Sequence, residues 1–314
     1  MRPKDLKTLL KAQLAQGSSP DNELGSIMVW GPPGIGKSRL MELVAKEEEV
    51  GLVDFRLLLC DPSDLRGIPV PSTDTDGNPV AVWLSPAELP RKGRGFLLFD
   101  DLPTCPPLVQ GSAYQITIRP HQLGPYRLPE GWVIVGAGNR MQDRSLAHRM
   151  PAALANRFFH VELEPNLDDW REWALVNAIQ PEVVAFVLWR PELLFQFNPE
   201  REEHAWPSPR TWEMTSRLLA IWKGRVPAEI IEGTVGKGVA AEFAAFLRLQ
   251  TELPDLGTIL EGRNKTCPEK IDLRYALVSA LASRAKPEHF DNLLDYSYKL
   301  PAEFRVLLEA RRQS

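Results

Sequence analysis

Short continuous apolar runs alternate with helical patterns through the first half of the chain. The runs that predict strands are SIMVW (26–30), LVDFRLLLC (52–60), GFLLFD (95–100), WVIVGAGN (132–139) and FFHVELE (158–164). Between them, SRLMELVAKEEE (38–49) and PPLVQGSAYQIT (106–117) have the spacing of apolar residues that indicates helices. Apolar strands separated by helices are typical of a parallel sheet covered on both faces. We therefore predict an α/β domain over residues 1–164.

The second half of the chain, after Pro165, carries helical patterns alone. They are LDDWREWALVNAI, PEVVAFVLWRPELLFQF, RTWEMTSRLLAIW, VAAEFAAFLRLQ and LRYALVSALASR. Six of the nine tryptophans lie in this half, and we interpret them as large core residues. The pattern predicts an all-helical domain with a C-terminal helical extension over residues 165–314.

Two segments of the first half differ from the sheet pattern around them. VPSTDTDGNPVAVW (70–83) and HQLGPYRLPEGW (121–132) each place turn residues between short apolar or aromatic flanks. Such sequences predict hairpin-like excursions from the sheet domain.

The N-terminal segment has Leu6, Leu9, Leu10 and Leu14 on one helical face, which predicts a packed amphipathic helix and not a targeting segment. No stretch approaches the roughly 18 apolar residues that a membrane helix needs. The three cysteines and five histidines are scattered without metal-ligand spacing. These features favour a cytoplasmic protein that has no membrane segment.

A glycine-rich segment directly follows the first predicted strand. It matches G-x-x-x-x-G-K-[ST] in full, as Gly31, Pro32, Pro33, Gly34, Ile35, Gly36, Lys37 and Ser38. Glycines allow backbone N–H groups to wrap phosphates, and the start of the following helix adds partial positive charge. We predict that these residues and Arg39 bind a nucleotide, with Lys37 at the outer phosphates and the Ser38 hydroxyl on Mg²⁺. A second Gly-Lys, in GTVGKGVAA (233–241), has no Ser or Thr after the lysine and predicts only a turn that opens a helix.

Polar side chains end the third and fourth predicted strands of the sheet. Asp100, in FLLFDDL, is placed to hold Mg²⁺ through its water ligands, and Asp101 is then placed to activate the attacking water. A helix cap without a catalytic role is the alternative for Asp101. Asn139, at the end of WVIVGAGN, predicts a contact with the γ-phosphate and the attacking water.

Together these motifs resemble those of the AAA+ ATPases, and more narrowly of the MoxR-like branch. GPPGIGKS is similar to the Walker A motif, FLLFDD to Walker B and GAGNR to sensor 1. HRMPAALANRF (148–158) resembles the segment that ends in the arginine finger, and WPSPRTWE (206–213) resembles sensor 2. The two hairpin segments match the helix-2 insert and pre-sensor-1 hairpin of that branch. The resemblance covers nearly the whole chain, and it implies a P-loop AAA+ core, a helical lid and Mg²⁺-dependent hydrolysis of ATP.

The resemblance also implies roles for two arginines. Arg157 is expected to reach the nucleotide of the neighbouring subunit in a ring of six, and Arg210 to contact the phosphates of its own chain from the lid. Arg140, Arg144 and Arg149 are alternatives for the role between subunits. For Arg157 and Arg210 themselves, the alternative is a surface salt bridge.

Asp101 departs from the family pattern, in which Glu is usual. Because Asp is one methylene shorter, Asp101→Glu is expected to leave activity equal or to raise it. The departure also keeps open a nucleotide-dependent scaffold with little hydrolysis.

The resemblance implies a partner protein, because MoxR-like proteins remodel or activate partners, often together with a von Willebrand factor A domain protein. A motor acting on nucleic acid is the alternative. The net charge of −4 and the few basic residues in and next to the hairpin segments, Arg119, His121 and Arg127, argue against nucleic acid.

Overall fold

The computed structural model describes residues 1–17, 25–143 and 150–309. The chain folds into two compact units, Met1–Glu164 and Pro165–Ser314. Each unit has its own hydrophobic core, formed by different sets of buried side chains.

Within the described part of the first unit, five strands form one parallel sheet. They are β1 (Ser26–Trp30), β2 (Gly51–Arg56), β5 (Arg94–Asp100), β8 (Gly131–Gly138) and β9 (Phe158–Glu162). Their order across the sheet is β2-β5-β8-β1-β9, so β1, β5 and β8 each lie between two neighbours. These three central strands are buried along most of their length, as their continuous apolar sequences require. The prediction of a parallel α/β sheet is confirmed.

The helices of this unit bury apolar side chains against the sheet or against one another. They are α1 (Pro3–Gln16), α2 (Lys37–Glu47), α3 (Pro62–Arg66), α4 (Pro107–Thr117) and α5 (Ala152–Ala155). In α1, Leu6, Leu10 and Leu14 are buried, as the amphipathic pattern predicts. The run 52–60 is shorter as a strand than predicted, because β2 ends at Arg56 and residues Leu57–Leu59 form a 3-10 turn.

Both predicted hairpins are present beside the sheet. The first pairs β3 (Ile68–Thr73) with β4 (Pro79–Leu84), and the second pairs β6 (Gln122–Leu123) with β7 (Tyr126–Arg127). Gly67 lies at the base of the first hairpin with φ 82°, against the carbonyl of Leu84. A Cβ has no room there, so glycine is required at this close approach.

The described part of the second unit contains helices joined by turns and loops, and no strand. Its helices are α6 (Leu167–Val176), α7 (Pro181–Trp189), α8 (Pro209–Ile221), α9 (Ala228–Val235), α10 (Lys237–Arg248), α11 (Leu256–Leu260), α12 (Ile271–Arg284), α13 (Phe290–Ser297) and α14 (Ala302–Glu309). Phe186 packs against Trp212, Phe243 and Phe246 at ring-centroid distances of 5.6, 4.9 and 5.5 Å. Trp212 is therefore a core residue as predicted, whereas Trp222 is 39% exposed and is not.

Three further features of the chain are its cysteines, its potential metal ligands and the apolar character of its helices. The cysteines are free thiols, and burial raises the pKa of Cys105 to about 12, which keeps it protonated. The described ranges contain no cluster of His, Cys, Asp and Glu side chains that could hold a metal ion by itself. Across those same ranges, no helix combines the length and apolar character needed to cross a membrane.

Candidate functional site

The glycine-rich loop joins the carboxyl end of β1 to the start of α2. Gly34 and Gly36 have φ of 86° and 95°, a left-handed backbone that glycine adopts without strain. The helix α2 begins at Lys37, and no described side chain caps its first turn. The first N–H groups of a helix have no partner within it and readily bind an anion. The loop and the start of α2 therefore form a site suited to phosphate.

The Lys37 ammonium lies inside this loop. Its side chain is buried, and Nζ donates hydrogen bonds to the carbonyls of Gly31 and Pro32 at 2.8 and 3.1 Å. It also donates to Asn139 Oδ1 at 2.7 Å. Asn139 follows β8, which pairs in parallel with β1, so both residues lie at the carboxyl edge of the sheet. Two residues selected separately from the sequence are thus in direct contact.

Ser38 and Asp100 form a second contact at the same edge. The Ser38 hydroxyl donates to Asp100 Oδ2 at 2.6 Å. Asp54 on β2 lies near Asp100. Burial, and secondly the negative charge of Asp100, raise the pKa of the Asp54 carboxyl. Hydroxyl and carboxylate oxygens are ligands that Mg²⁺ prefers, and a cation beside Asp100 would offset the repulsion between the two carboxylates. The residues present therefore fit Mg²⁺.

Asp101 occupies an unusual turn directly after β5. Its φ is +56°, in the left-handed region where Asp and Asn are several times more frequent than other non-glycine residues. The amide and hydroxyl of Thr104 donate to the Asp101 carbonyl at 2.9 and 2.8 Å. The amide of Leu102 donates to the Ala137 carbonyl on β8 at 3.1 Å. The turn is therefore held against the strand that precedes Asn139.

The alternative of a helix cap does not describe Asp101. The next helix, α4, begins at Pro107, and the residue that precedes its first turn is Pro106. Asp101 lies outside that turn, in the segment between β5 and α4. Its conformation also argues against the expectation for Asp101→Glu, because Glu adopts a left-handed backbone less readily than Asp.

Arg140 is engaged within its own chain. Its guanidinium donates to Asp143 from Nε at 3.2 Å and from Nη2 at 3.0 Å, and it forms an ion pair with Glu162 at the end of β9. This arrangement argues against Arg140 as an arginine for a neighbouring subunit. The other two alternatives, Arg144 and Arg149, lie outside the described residues.

Arg157 lies at the amino ends of the parallel strands, whereas the loop lies at their carboxyl ends. In the pairing of β9 with β1, Phe158 is opposite Ser26 and Glu162 is opposite Trp30. Because Arg157 directly precedes Phe158, it lies beside the amino end of β1, whereas the loop follows the carboxyl end. Four strand steps of about 3.3 Å separate the two ends by about 13 Å. Arg157 is exposed, and its guanidinium carbon lies 5.2 Å from the centre of the Tyr114 ring.

Two further arginines from the sequence prediction are exposed. Arg39 in α2 pairs with Glu42 at 2.6 Å, one turn further along the helix. Arg210 lies in the first turn of α8, in the second unit, after the N-cap residue Ser208. The second Gly-Lys segment is a turn as predicted, because α9 ends at Val235 and α10 begins at Lys237.

Three residues near these features escaped the sequence prediction: Asp54, Tyr114 and His160. Asp54 stands inside an apolar run, and an internal acidic residue in a predicted buried strand is a usable signal. Tyr114 in α4 has the spacing of an ordinary core residue. His160 in β9 looks like one of several scattered histidines, so only the folded chain shows its neighbours.

No protein-family model and no curated protein matches this sequence. Among solved structures, RuvB from Thermotoga maritima, described as a Holliday junction branch migration motor, is similar at 17% identity with a TM-score of 0.41. That match covers 94% of this chain and 87% of RuvB. A putative ATPase from Cytophaga hutchinsonii matches at 14% identity with a TM-score of 0.37, over 96% of this chain and 78% of that one. NtrX from Brucella abortus, in complex with ATP, matches at 13% identity with a TM-score of 0.43, over 95% and 63%. Likenesses this distant do not establish what this chain binds or does.

Proposed function

We propose that this chain is a Mg²⁺-dependent ATPase of the AAA+ type, which assembles into a ring and remodels or activates a partner protein. The observation that carries the proposal is the convergence at one edge of the sheet. There Lys37 contacts Asn139, and Ser38 contacts Asp100. The Lys37 ammonium, the Asn139 amide, the Ser38 hydroxyl and the Asp100 carboxylate thus lie around a loop suited to phosphate. These are the kinds of group that nucleotide hydrolysis requires.

In the proposed site, the loop amides and Lys37 bind the phosphates of ATP, and Ser38 and Asp100 hold Mg²⁺. Mg²⁺, when bound, would neutralise charge on the outer phosphates. Lys37 would exchange its contacts with the loop carbonyls and Asn139 for phosphate oxygens. Asn139 would then be available to orient the attacking water beside the γ-phosphate.

Asp101 is the general base in this proposal. It directly follows Asp100, and its turn is tied to β8 through Leu102. A carboxylate whose backbone is fixed relative to both Asp100 and Asn139 can accept a proton from a water aligned with the γ-phosphate.

Arg157 completes the proposed site of the neighbouring subunit. Its place at the amino edge of the sheet supports a role outside its own site, since its own loop follows the opposite end of β1. An arginine aimed at the developing phosphate charge typically supplies several orders of magnitude in rate. Arg210, exposed at the start of α8, is proposed to contact the phosphates of its own chain.

A protein partner is favoured over nucleic acid by the surface of the β3–β4 hairpin. Ile68, Val82 and Leu84 lie on one face, and they are 55, 42 and 54% exposed. An open groove of about 620 Å³ beside the hairpin is lined by Leu59, Ile68 and Leu84 together with edge strand β2. Exposed apolar side chains of this kind bind apolar segments of proteins, whereas nucleic acid requires cations.

The first test is ATP hydrolysis by the purified chain with Mg²⁺ and with excess chelator. Hydrolysis that requires Mg²⁺ and is abolished in Lys37→Ala is the expected result, because that change removes the cation inside the loop. Lys7→Ala is a matched control, since its ammonium pairs with Glu47 outside the loop. Nucleotide binding retained at micromolar affinity in Lys37→Ala would contradict the proposed site. The same assay with duplex DNA at two salt concentrations tests the nucleic-acid alternative.

The second test concerns the ring. Subunits with Arg157→Ala retain a complete loop but cannot supply the arginine, and subunits with Lys37→Ala do the reverse. Neither is expected to hydrolyse ATP alone, and a mixture is expected to recover activity at interfaces where a complete loop meets an intact arginine. A mixture that forms mixed rings by native mass spectrometry, yet recovers no activity, would refute the role between subunits.

A further inference from the structure

Arg157 is held on one side by α4. Its guanidinium carbon lies 5.2 Å from the centre of the Tyr114 ring, and Nη2 lies 3.5 Å from the tyrosine hydroxyl. A guanidinium over an aromatic face is attracted by the electrons of the ring. Tyr114 is itself half-buried against the core beneath α4, so the ring is a fixed platform for a side chain that is otherwise exposed.

On the other side, a chain of hydrogen bonds joins the turn before Arg157 to the strand that carries the phosphate loop. Trp30, the last residue of β1, donates from Nε1 to His160 Nδ1 at 2.8 Å. The opposite nitrogen of His160, Nε2, lies 2.8 Å from the carbonyl of Ala155. Because Nδ1 accepts a hydrogen bond, the proton of the neutral ring belongs on Nε2, which then donates to Ala155. Ala155 ends α5, two residues before Arg157.

The backbone at Arg157 is fixed between these two contacts. Leu154 and Phe158, which flank the turn, are buried in the same core cluster as Ala113 of α4. The amide of Arg157 donates to the Leu154 carbonyl at 3.1 Å. The backbone of Arg157 is therefore held in place, and its guanidinium is held against the Tyr114 ring.

We propose that Tyr114 and His160 are positioning residues for Arg157. Tyr114 holds the guanidinium in one orientation, and His160 ties the turn that carries it to Trp30, immediately before the phosphate loop. This inference rests on the proposed role of Arg157 at the neighbouring nucleotide. An unconstrained arginine occupies many rotamers, so a platform that selects one raises the fraction of subunits ready to act.

The experiment uses the mixed rings described above, because they separate the subunit that supplies the arginine from the subunit that holds ATP. The supplying subunit carries Lys37→Ala, and the holding subunit carries Arg157→Ala. Tyr114→Leu or His160→Phe is then added to one kind of subunit at a time. Leu keeps apolar packing without the aromatic face, and Phe keeps an aromatic ring beside Trp30 without either hydrogen bond.

Placed in the supplying subunit, each substitution is expected to lower kcat about two- to fivefold with the KM for ATP unchanged. Placed in the holding subunit, neither is expected to change kcat. Tyr114→Phe in the supplying subunit is expected to stay near the unsubstituted mixture, since the ring face remains. Tyr298→Leu is the matched control, because Tyr298 makes a comparable contact with Arg305 at 5.5 Å in the second unit.

Each outcome decides between the two proposals. If the mixture of Lys37→Ala and Arg157→Ala subunits recovers activity, and Tyr114→Leu and His160→Phe leave it unchanged in the supplying subunit, the positioning role alone is refuted. An equal loss in either subunit refutes it as well, because it indicates a general structural effect. If the unsubstituted mixture recovers nothing, the role of Arg157 between subunits fails first and the positioning role fails with it.

Discussion

Replacing Asp101 by Asn removes the proposed general base without a change of backbone. The φ of +56° at this position is one that Asn adopts as readily as Asp. The two hydrogen bonds from Thr104 end on the Asp101 carbonyl and the one from Leu102 ends on the Ala137 carbonyl, and the substitution leaves these three intact. The free energy of unfolding is therefore expected to stay within about 0.5 kcal/mol of the wild type.

The expected effect on hydrolysis is much larger. Loss of a general base typically lowers the rate by about 10²–10⁴-fold, which corresponds to about 3–5 kcal/mol in the activation barrier. ATP affinity should hardly change, because the phosphates are held by the loop and Lys37. The measurements are steady-state turnover at saturating ATP and Mg²⁺, nucleotide binding by fluorescence, and urea unfolding.

Asp101→Glu sharpens the test because it keeps the carboxylate but not the backbone preference. A left-handed conformation costs about 1–2 kcal/mol for an ordinary L-residue, and the longer side chain would move the carboxylate by one methylene. Turnover below that of the wild type is therefore expected, contrary to the expectation from the family pattern. Unchanged turnover in Asp101→Asn, with binding and stability intact, would refute the assignment of Asp101 as the base.

Two further predictions concern stability. Gly138→Ala is expected to destabilise the first unit by about 1–3 kcal/mol in urea unfolding, because a Cβ there would overlap the ring of Pro103. Gly111→Ala in α4 is the control, and it is expected to be neutral or stabilising because the space around its Cβ position is open. Burial lowers the pKa of His121 from its ordinary value of 6.5, so the unfolded chain binds the proton more readily and stability is lost as the pH falls below about 6.5. His121→Asn, which suits the φ of 60° at that position, should reduce this dependence between pH 7 and 5, and an identical pH profile would exclude His121 as its source.

Local sequence was sufficient for the parts of this protein that are local in space. The phosphate loop is one contiguous segment, and its glycines, Lys37 and Ser38 have conformations set largely by their immediate neighbours. The strands were recognisable because a buried parallel strand is apolar along its whole length. The contact of Lys37 with Asn139 is consistent with the predicted position of Asn139 at a strand end, since the carboxyl ends of parallel strands lie at the same end of the sheet.

The tertiary structure decided the contacts that join distant segments. Arg140 is paired with Glu162 because β8 and β9 end on either side of β1. Trp30 meets His160 because the register of β1 with β9 places them on adjoining strands, 130 residues apart in sequence. No periodicity encodes such a register, because it is set by the packing of whole strands and helices.

The turn at Asp101 shows the same limit on a smaller scale. The motif FLLFDDL predicts its place after an acidic strand end. Its left-handed backbone depends on the hydrogen bond from Leu102 to Ala137 and on the close packing of Pro103 against Gly138. Those contacts come from β8, more than thirty residues later in the chain. The sequence alone therefore determined which chemical groups the site contains, and the folded chain determined how they are oriented, because orientation arises from packing between segments that are remote in sequence.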